Sequence, residues 1–209
     1  MAHHLELDRV TIAREGRQLL TLTTSIGPGE VVTVMGPSGS GKSTLLAFVA
    51  GLLDPAFTAA GRVLLDGRDV TPLPAESRRI GLLFQDPLLF PHLSVASNLL
   101  FGVGRDVPDR RDRVREALAD AGLQDFGSRD PGTLSGGQKA RVALLRVLLS
   151  EPHALLLDEP FSKLDTALRN EIRSFVLERV RAAGLPTLLV THDPGDAAAA
   201  GGPIIHISS

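Results

Sequence analysis

The chain has 209 residues, 43% of them hydrophobic, which suits one globular domain or a core carrying one inserted subdomain and excludes a disordered chain. Its 22 basic and 24 acidic residues leave a formal net charge of −2, so bulk electrostatics supplies no pull toward nucleic acid or an anionic membrane surface, and any anion site must be local. Cysteine is absent, which excludes disulfides and thiolate metal sites and fits a reducing compartment.

The first residues lack the basic-then-apolar pattern of a secretory signal. His3 and His4 read as a solvated terminus, because two adjacent imidazoles supply too few metal ligands without a fold around them. Leu5 to Leu22 and Gly61 to Leu65 alternate in part and carry turn signals at Glu15-Gly16, Gly27-Pro28-Gly29 and Asp66-Gly67, predicting an antiparallel patch at the N-terminal side. Continuous apolar runs at Val31–Met35, Ile80–Phe84, Ala154–Leu157, Thr187–Val190 and Ile204–Ile207 predict strands covered on both faces, as in a parallel sheet. Helical spacing is expected over Lys42–Ala50, Arg110–Ala121, Val142–Leu149 and Thr166–Ala183, the last ending at Gly184 with Pro186 behind. Residues from about 87 to 152 carry helix signals and no convincing strand, so they read as a helical insertion between two core strands. The longest apolar run, Leu45 to Leu53, is stopped by Asp54 and Pro55, short of the roughly 20 residues that cross a bilayer.

Gly36-Pro37-Ser38-Gly39-Ser40-Gly41-Lys42-Ser43-Thr44 fits G-x-x-x-x-G-K-[ST] and lies between a predicted strand and a predicted helix, the context a phosphate cradle needs. Its glycines allow a tight wrap that aims backbone N–H groups inward, and the helix adds its positive end. Lys42 then reaches the β and γ phosphates, and Ser43 offers a hydroxyl to Mg²⁺. The strand Ala154–Leu157 runs into Asp158 and Glu159, suited to holding Mg²⁺ and to polarising an attacking water. Gln85 and His192 also follow apolar strands. Four parallel strands therefore deliver Gly36, Gln85, Asp158-Glu159 and His192 to one sheet edge, with Gln85 a neutral oxygen ligand for Mg²⁺ and His192 a donor to the γ-phosphate.

A second anion receptor is expected at Ser135-Gly136-Gly137-Gln138, where Ser135 suits an N-cap and the glycines open a helix N-terminus to close approach by a phosphate. The helical insertion would carry it away from the cradle of its own chain, so the simplest use is completion of the site of another copy, head to tail.

Together these stretches resemble the ATP-binding cassette family over almost the whole chain. Gly36–Ser43 looks like its Walker A loop, Gln85 its Q-loop, Leu134–Gln138 its signature, Leu155–Glu159 its Walker B strand, Ser162–Asp165 its D-loop and His192 its switch histidine. The resemblance implies an α/β fold with a P-loop NTPase core, a mainly parallel sheet, an antiparallel β patch and an inserted helical subdomain over about 87–152, all in one nucleotide-binding domain over 1–209. It implies an ATPase that binds ATP and Mg²⁺ in a sandwich dimer, a homodimer or pseudo-dimer, with Lys42, Glu159 and His192 catalytic and Ser43, Gln85 and Asp158 at the metal. Its partners would be separate transmembrane permease subunits rather than nucleic acid, and its place the cytoplasmic face of the inner membrane, held peripherally. The stretch from Gln85 to Phe101 resembles the groove that receives a coupling helix in bacterial importers. Where the family usually stacks adenine on an N-terminal aromatic, this chain has Arg14, whose guanidinium plane can take that place. The C-terminal regulatory domain of some importer subunits is expected to be missing. A phosphate-loop kinase would use Gly36–Ser43 but has no need of Ser135-Gly-Gly-Gln138.

Overall fold

A computed structural model describes residues 2–207. The first hairpin joins β1 (Leu5–Arg14) to β2 (Arg17–Ile26) through Glu15 and Gly16, both at positive φ, the two-residue turn whose twist matches that of the strands. After β3 (Val31–Met35) and α1 (Lys42–Ala50), β4 (Phe57–Leu65) pairs antiparallel with β1, and Asp66-Gly67 makes a second turn of the same kind into the short β5 (Arg68–Asp69). The resulting sheet has the order β2-β1-β4-β5. A bulge at Asp8–Arg9 presses the Arg9 carbonyl onto Gly61, where a Cβ would lie 2.4 Å from that oxygen, so only glycine fits.

The chain continues through β6 (Ile80–Leu83), α2 (Val95–Gly102), α3 (Arg110–Asp120), α4 (Gly136–Leu148), β7 (Ala154–Asp158), α5 (Thr166–Ala182), β8 (Thr187–Thr191), α6 (Pro194–Ala200) and β9 (Ile204–His206). The second sheet has the order β6-β7-β8-β3-β9 with every pair parallel, as continuous apolar runs require. One face, through Val32, Val34, Ala154, Leu156, Leu188 and Val190, packs with α1 and the antiparallel sheet. The opposite face, through Val31, Leu83, Leu155, Leu157 and Leu189, packs on α4 and α5. Between β6 and β7 there is only helix and turn, and α2, α3 and α4 bury a cluster of their own around Val95, Leu99, Val114, Leu118 and Val142. Helix α4 contributes Ala143 and Leu144 to the main core and Val142 and Leu145 to this cluster, so it ties the insertion to the sheet.

Several sequence expectations shift. Strand β6 ends at Leu83 rather than Phe84, and α4 starts at Gly136, ahead of its apolar run, because Ser135 and Gln138 close a capping box around its first turn. Strand β9 is an edge strand, so Ile204 and His206 are exposed rather than covered on both faces. His3 and His4 are not a solvated terminus: the β1–β4 pairing carries them onto the body, where His3 meets Asp66 and His4 bonds Ser25.

Candidate functional site

Parallel pairing brings the carboxyl ends of β3, β6 and β7 to one edge, where a cavity of about 550 Å³ opens. The loop after β3 forms one wall. Gly39 and Gly41 take left-handed φ values of 83° and 88°, and a Cβ on Gly36 would stand 2.8 Å from the Ile207 carbonyl. Gly41, the N-cap of α1, provides no side-chain cap, which leaves the first-turn amides for a ligand. Lys42 is buried and turns back into the loop, donating to the carbonyls of Gly36 and Pro37 at 2.8 Å each. Ser40 donates to the Pro37 carbonyl at 2.9 Å. The strand and helix flanks thus hold the Lys42 cation beside open backbone N–H donors, and among the described residues no carboxylate forms an ion pair with it.

Opposite lies the end of β7. Ser43 donates to Asp158 Oδ1 at 2.9 Å. Burial, helped by the Glu159 charge, pushes the Asp158 carboxyl above its ordinary value, against the Ser43 hydrogen bond and Lys42. A half-buried carboxylate in that condition is short of positive charge, and with the Ser43 hydroxyl and the Gln85 amide it offers the hard oxygen donors that suit Mg²⁺. Glu159 sits at φ 45°, a left-handed conformation at the strand end, with its amide bonded to the Val190 carbonyl at 2.9 Å. Its carboxylate faces His192 Nδ1 at 3.1 Å, an ion-pair distance.

The following loop links these groups. Gln85 donates to the Ser162 hydroxyl, which donates on to the Glu159 carbonyl, both at 2.9 Å. Arg169, on α5, donates to the Phe161 and Ser162 carbonyls and pairs with Asp193, the neighbour of His192. One guanidinium thereby braces the loop after β7 against the loop after β8, a connection that no motif in the sequence signals.

Ser38, Gly39, Gly41, Lys42, Ser43 and Thr44 line the cavity together with Gln85, Asp158, Glu159 and Arg14, while Gly36, Pro37 and Ser40 shape the loop behind it. His192 reaches the site through Glu159. Ser135, Gly136, Gly137 and Gln138 are absent from the cavity wall, and Ser135 and Gly136 are exposed at the N-terminus of α4. Phe57 also lines the cavity, though no motif in the sequence marks it. As the register partner of Arg14 at the start of β4, it brings its ring into the cavity wall, with the Arg14 guanidinium 5.6 Å from the ring centroid. The usable signal was an aromatic at the head of a strand paired with β1, invisible until the pairing is known.

The ABC transporter family matches residues 19–162. An uncharacterized ABC transporter ATP-binding protein YnjD of Escherichia coli strain K12 is 48% identical over 87% of this chain and 85% of its own length. The thiamine import ATP-binding protein ThiQ of Cereibacter sphaeroides is 47% identical over 92% of this chain and 83% of its own. The Fe(3+) ions import ATP-binding protein FbpC 1 of Rhizobium meliloti is 44% identical over 88% of this chain but only 52% of its own length, so the chain spans about half of that longer relative.

Proposed function

On the premise that this chain belongs to the ABC transporter family and is an ATP-binding ATPase, we propose that it hydrolyses MgATP in a head-to-tail dimer and drives import through separate membrane subunits. The observation that carries this reading is that one chain holds a complete phosphate cradle beside two carboxylates, while a second, glycine-opened helix N-terminus at Ser135 stands outside that cavity. Residues 1–209 are read as one nucleotide-binding domain whose residues from about 87 to 152 form the helical subdomain.

In this reading the loop amides and Lys42 bind the triphosphate, Lys42 giving up its two carbonyl partners for phosphate oxygens. Ser43, Asp158 and Gln85 hold Mg²⁺, which supplies charge neutralisation on the phosphates. Adenine lies against the Arg14 and Phe57 surface. Glu159 orients water for attack on the γ-phosphate. His192 leaves Glu159 to donate to that phosphate, which frees the carboxylate for water. Ser135, Gly136, Gly137 and Gln138 of a second copy cover the same phosphate from the other side.

A groove of about 510 Å³ beside α2 supports a membrane partner. Leu88 is 56% and Phe101 70% exposed, Phe90 packs edge-on to Phe101 at 4.8 Å, and Arg146 holds the Pro87 and Leu88 carbonyls that form its lip. Apolar rings left open on a rigid lip suit a short amphipathic helix. Among the described residues no helix is long and apolar enough to cross a membrane. The proposed place of action is peripheral, at the cytoplasmic face of the inner membrane. The importers among the relatives by name favour import as the direction.

Gel filtration of Glu159→Gln with ATP tests the dimer. A nucleotide-dependent shift to twice the mass is expected, and a monomer at saturating ATP overturns it. Pull-down from membranes tests the partner: a multi-span protein lost on Phe101→Asp is expected, and recovery of ribosomes or DNA instead contradicts the transport assignment.

A further inference from the structure

Far from the nucleotide cavity, three side chains from three separate stretches converge. His3 precedes β1, Asp66 occupies the β4–β5 turn, and His153 immediately precedes β7. His3 Nδ1 lies 2.8 Å from Asp66 Oδ2, and His153 Nδ1 lies 3.8 Å from the same oxygen. The imidazoles stack with centroids 3.9 Å apart and 15° between planes, and both Nδ1 atoms lie near the same carboxylate oxygen. All three ligand atoms fall within 4.8 Å of one another. The backbone holds the arrangement: the His4 amide fixes Asp66 Oδ1 at 2.8 Å, the Asp66 amide bonds the His4 carbonyl at 2.9 Å, and the His153 amide bonds the Arg79 carbonyl at 2.8 Å.

We propose that His3, Asp66 and His153 form a binding site for a borderline divalent transition-metal ion of the Zn²⁺ class, unrelated to the Mg²⁺ of nucleotide binding. Two imidazole nitrogens and one carboxylate oxygen make the donor set such ions take, and magnesium and calcium, which demand mostly oxygen, do not. Bond lengths of roughly 2.0–2.2 Å put neighbouring ligand atoms about 3–3.5 Å apart, a spacing that the 2.8 and 3.8 Å from the two Nδ1 atoms to Asp66 Oδ2 bracket, and the two stacked rings tilt out of parallel to converge their Nδ1 lone pairs on the ion. The carboxylate already carries the partner on its other oxygen that orients a metal ligand. The imidazoles border a cavity of about 600 Å³, which leaves room for water in the remaining coordination positions. The bound ion would cross-link the antiparallel sheet to the segment feeding β7, the strand that carries Asp158.

One neighbour opposes the ion. Arg79 Nη1 stands 3.3 Å from His153 Nε2 and donates to it in the metal-free state, which keeps the ring proton on Nδ1. Metal uptake therefore moves the Nδ1 proton of His153, and likewise the one His3 donates to Asp66, to the Nε2 atoms through solvent, and displaces Arg79. Replacing Arg79 by glutamine, whose carbonyl can accept from Nε2–H, should tighten binding.

The test is isothermal titration of the full, EDTA-stripped protein with ZnCl₂ in the absence of nucleotide and Mg²⁺, followed by Co²⁺ absorption. Expected is saturable binding of one ion per chain, weakened at least about tenfold in His153→Ala and in the near-isosteric Asp66→Asn, since loss of a direct ligand costs no less than loss of an outer-shell partner. Binding should survive in His4→Ala, because His4 Nε2 is engaged with Ser25, and tighten in Arg79→Gln. His3→Gln, at the terminus, guards against variants that fail to fold, with circular dichroism in EDTA as the check. No saturable uptake, or equal affinity in parent and His3→Gln, overturns the proposal. So does a fall in metal-free melting temperature with no heat on Zn²⁺ addition, the behaviour of a plain hydrogen-bonded latch.

Discussion

Arg78→Met is expected to weaken the nucleotide-free protein by about 3–4 kcal/mol. Arg78 is 6% exposed and forms no ion pair among the described residues, and its guanidinium instead collects four carbonyls: Phe48 and Val49 at the end of α1, Thr71 and Leu73 in the segment after β5. The Gly51 amide also bonds the Phe48 carbonyl, so methionine would orphan three acceptors, those of Val49, Thr71 and Leu73. At about 1 kcal/mol for each acceptor left unmade, Val49 buried and Thr71 and Leu73 part-buried, the three sum to about 3 kcal/mol, and the favourable charge lost at the helix C-terminus adds up to about 1 kcal/mol. For a chain of this size that lowers the melting temperature by about 6–16 °C, at about 2–4 °C per kcal/mol. Urea unfolding and a thermal scan, both without nucleotide, measure it. Arg78→Lys, which keeps the charge but has three donors on a single nitrogen and cannot span all four carbonyls, should fall between. A methionine variant within 1 kcal/mol of the parent refutes the reasoning, because those carbonyls would then be satisfied some other way.

Arg169→Met should lower kcat by about 10–100-fold with little change in KM for ATP, as expected when charge-assisted bonds that position Ser162 and Asp193 are lost and no nucleotide contact is touched. A raised KM with unchanged kcat would contradict that role. Phe57→Ala should raise KM for ATP about 5–30-fold, the worth of one stacked base, while kcat at saturation is kept; equal loss for ATP and inorganic triphosphate would show that the ring does not meet the base. The Asp158 carboxyl is raised, chiefly by burial and then by Glu159, so its contribution to stability is full below the ordinary carboxylate value of 3.8 and is lost as pH rises through the native value. Asp158→Asn should therefore melt higher than the parent at neutral pH in metal-free buffer, converge with it in acid, and lose Mg²⁺-dependent turnover. A lower melting temperature at neutral pH would contradict the sign.

What the sequence made legible was whatever its local chemistry requires. The glycines at 36, 39 and 41 announce a tight cradle because no other residue reaches those backbone angles or fits against Ile207. Apolar runs without alternation announced buried parallel strands, and the residues that end them, Gln85, Asp158 and Glu159, met in one cavity because parallel strands share an edge. Ser135 and Gln138 spell a capping box at the spacing a helix turn dictates. Long-range register was not legible. Phe57 joins Arg14 only because β4 pairs with β1, Arg78 is buried only because the segment after β5 folds under α1, and His153 meets His3 across a separation of sequence that no spacing rule encodes.

The central claim, that the two receptors at Gly36–Ser43 and Ser135–Gln138 work across two chains, is tested most directly by cross-linking, for which a chain free of cysteine is a clean background. Ser38→Cys and Ser135→Cys are made separately, each with Glu159→Gln, then mixed with ATP and oxidised. A disulfide-linked dimer is expected from the mixture only, dependent on nucleotide and absent from either variant alone. A mixture that stays monomeric, or a variant that links to itself through Ser135→Cys, would contradict it.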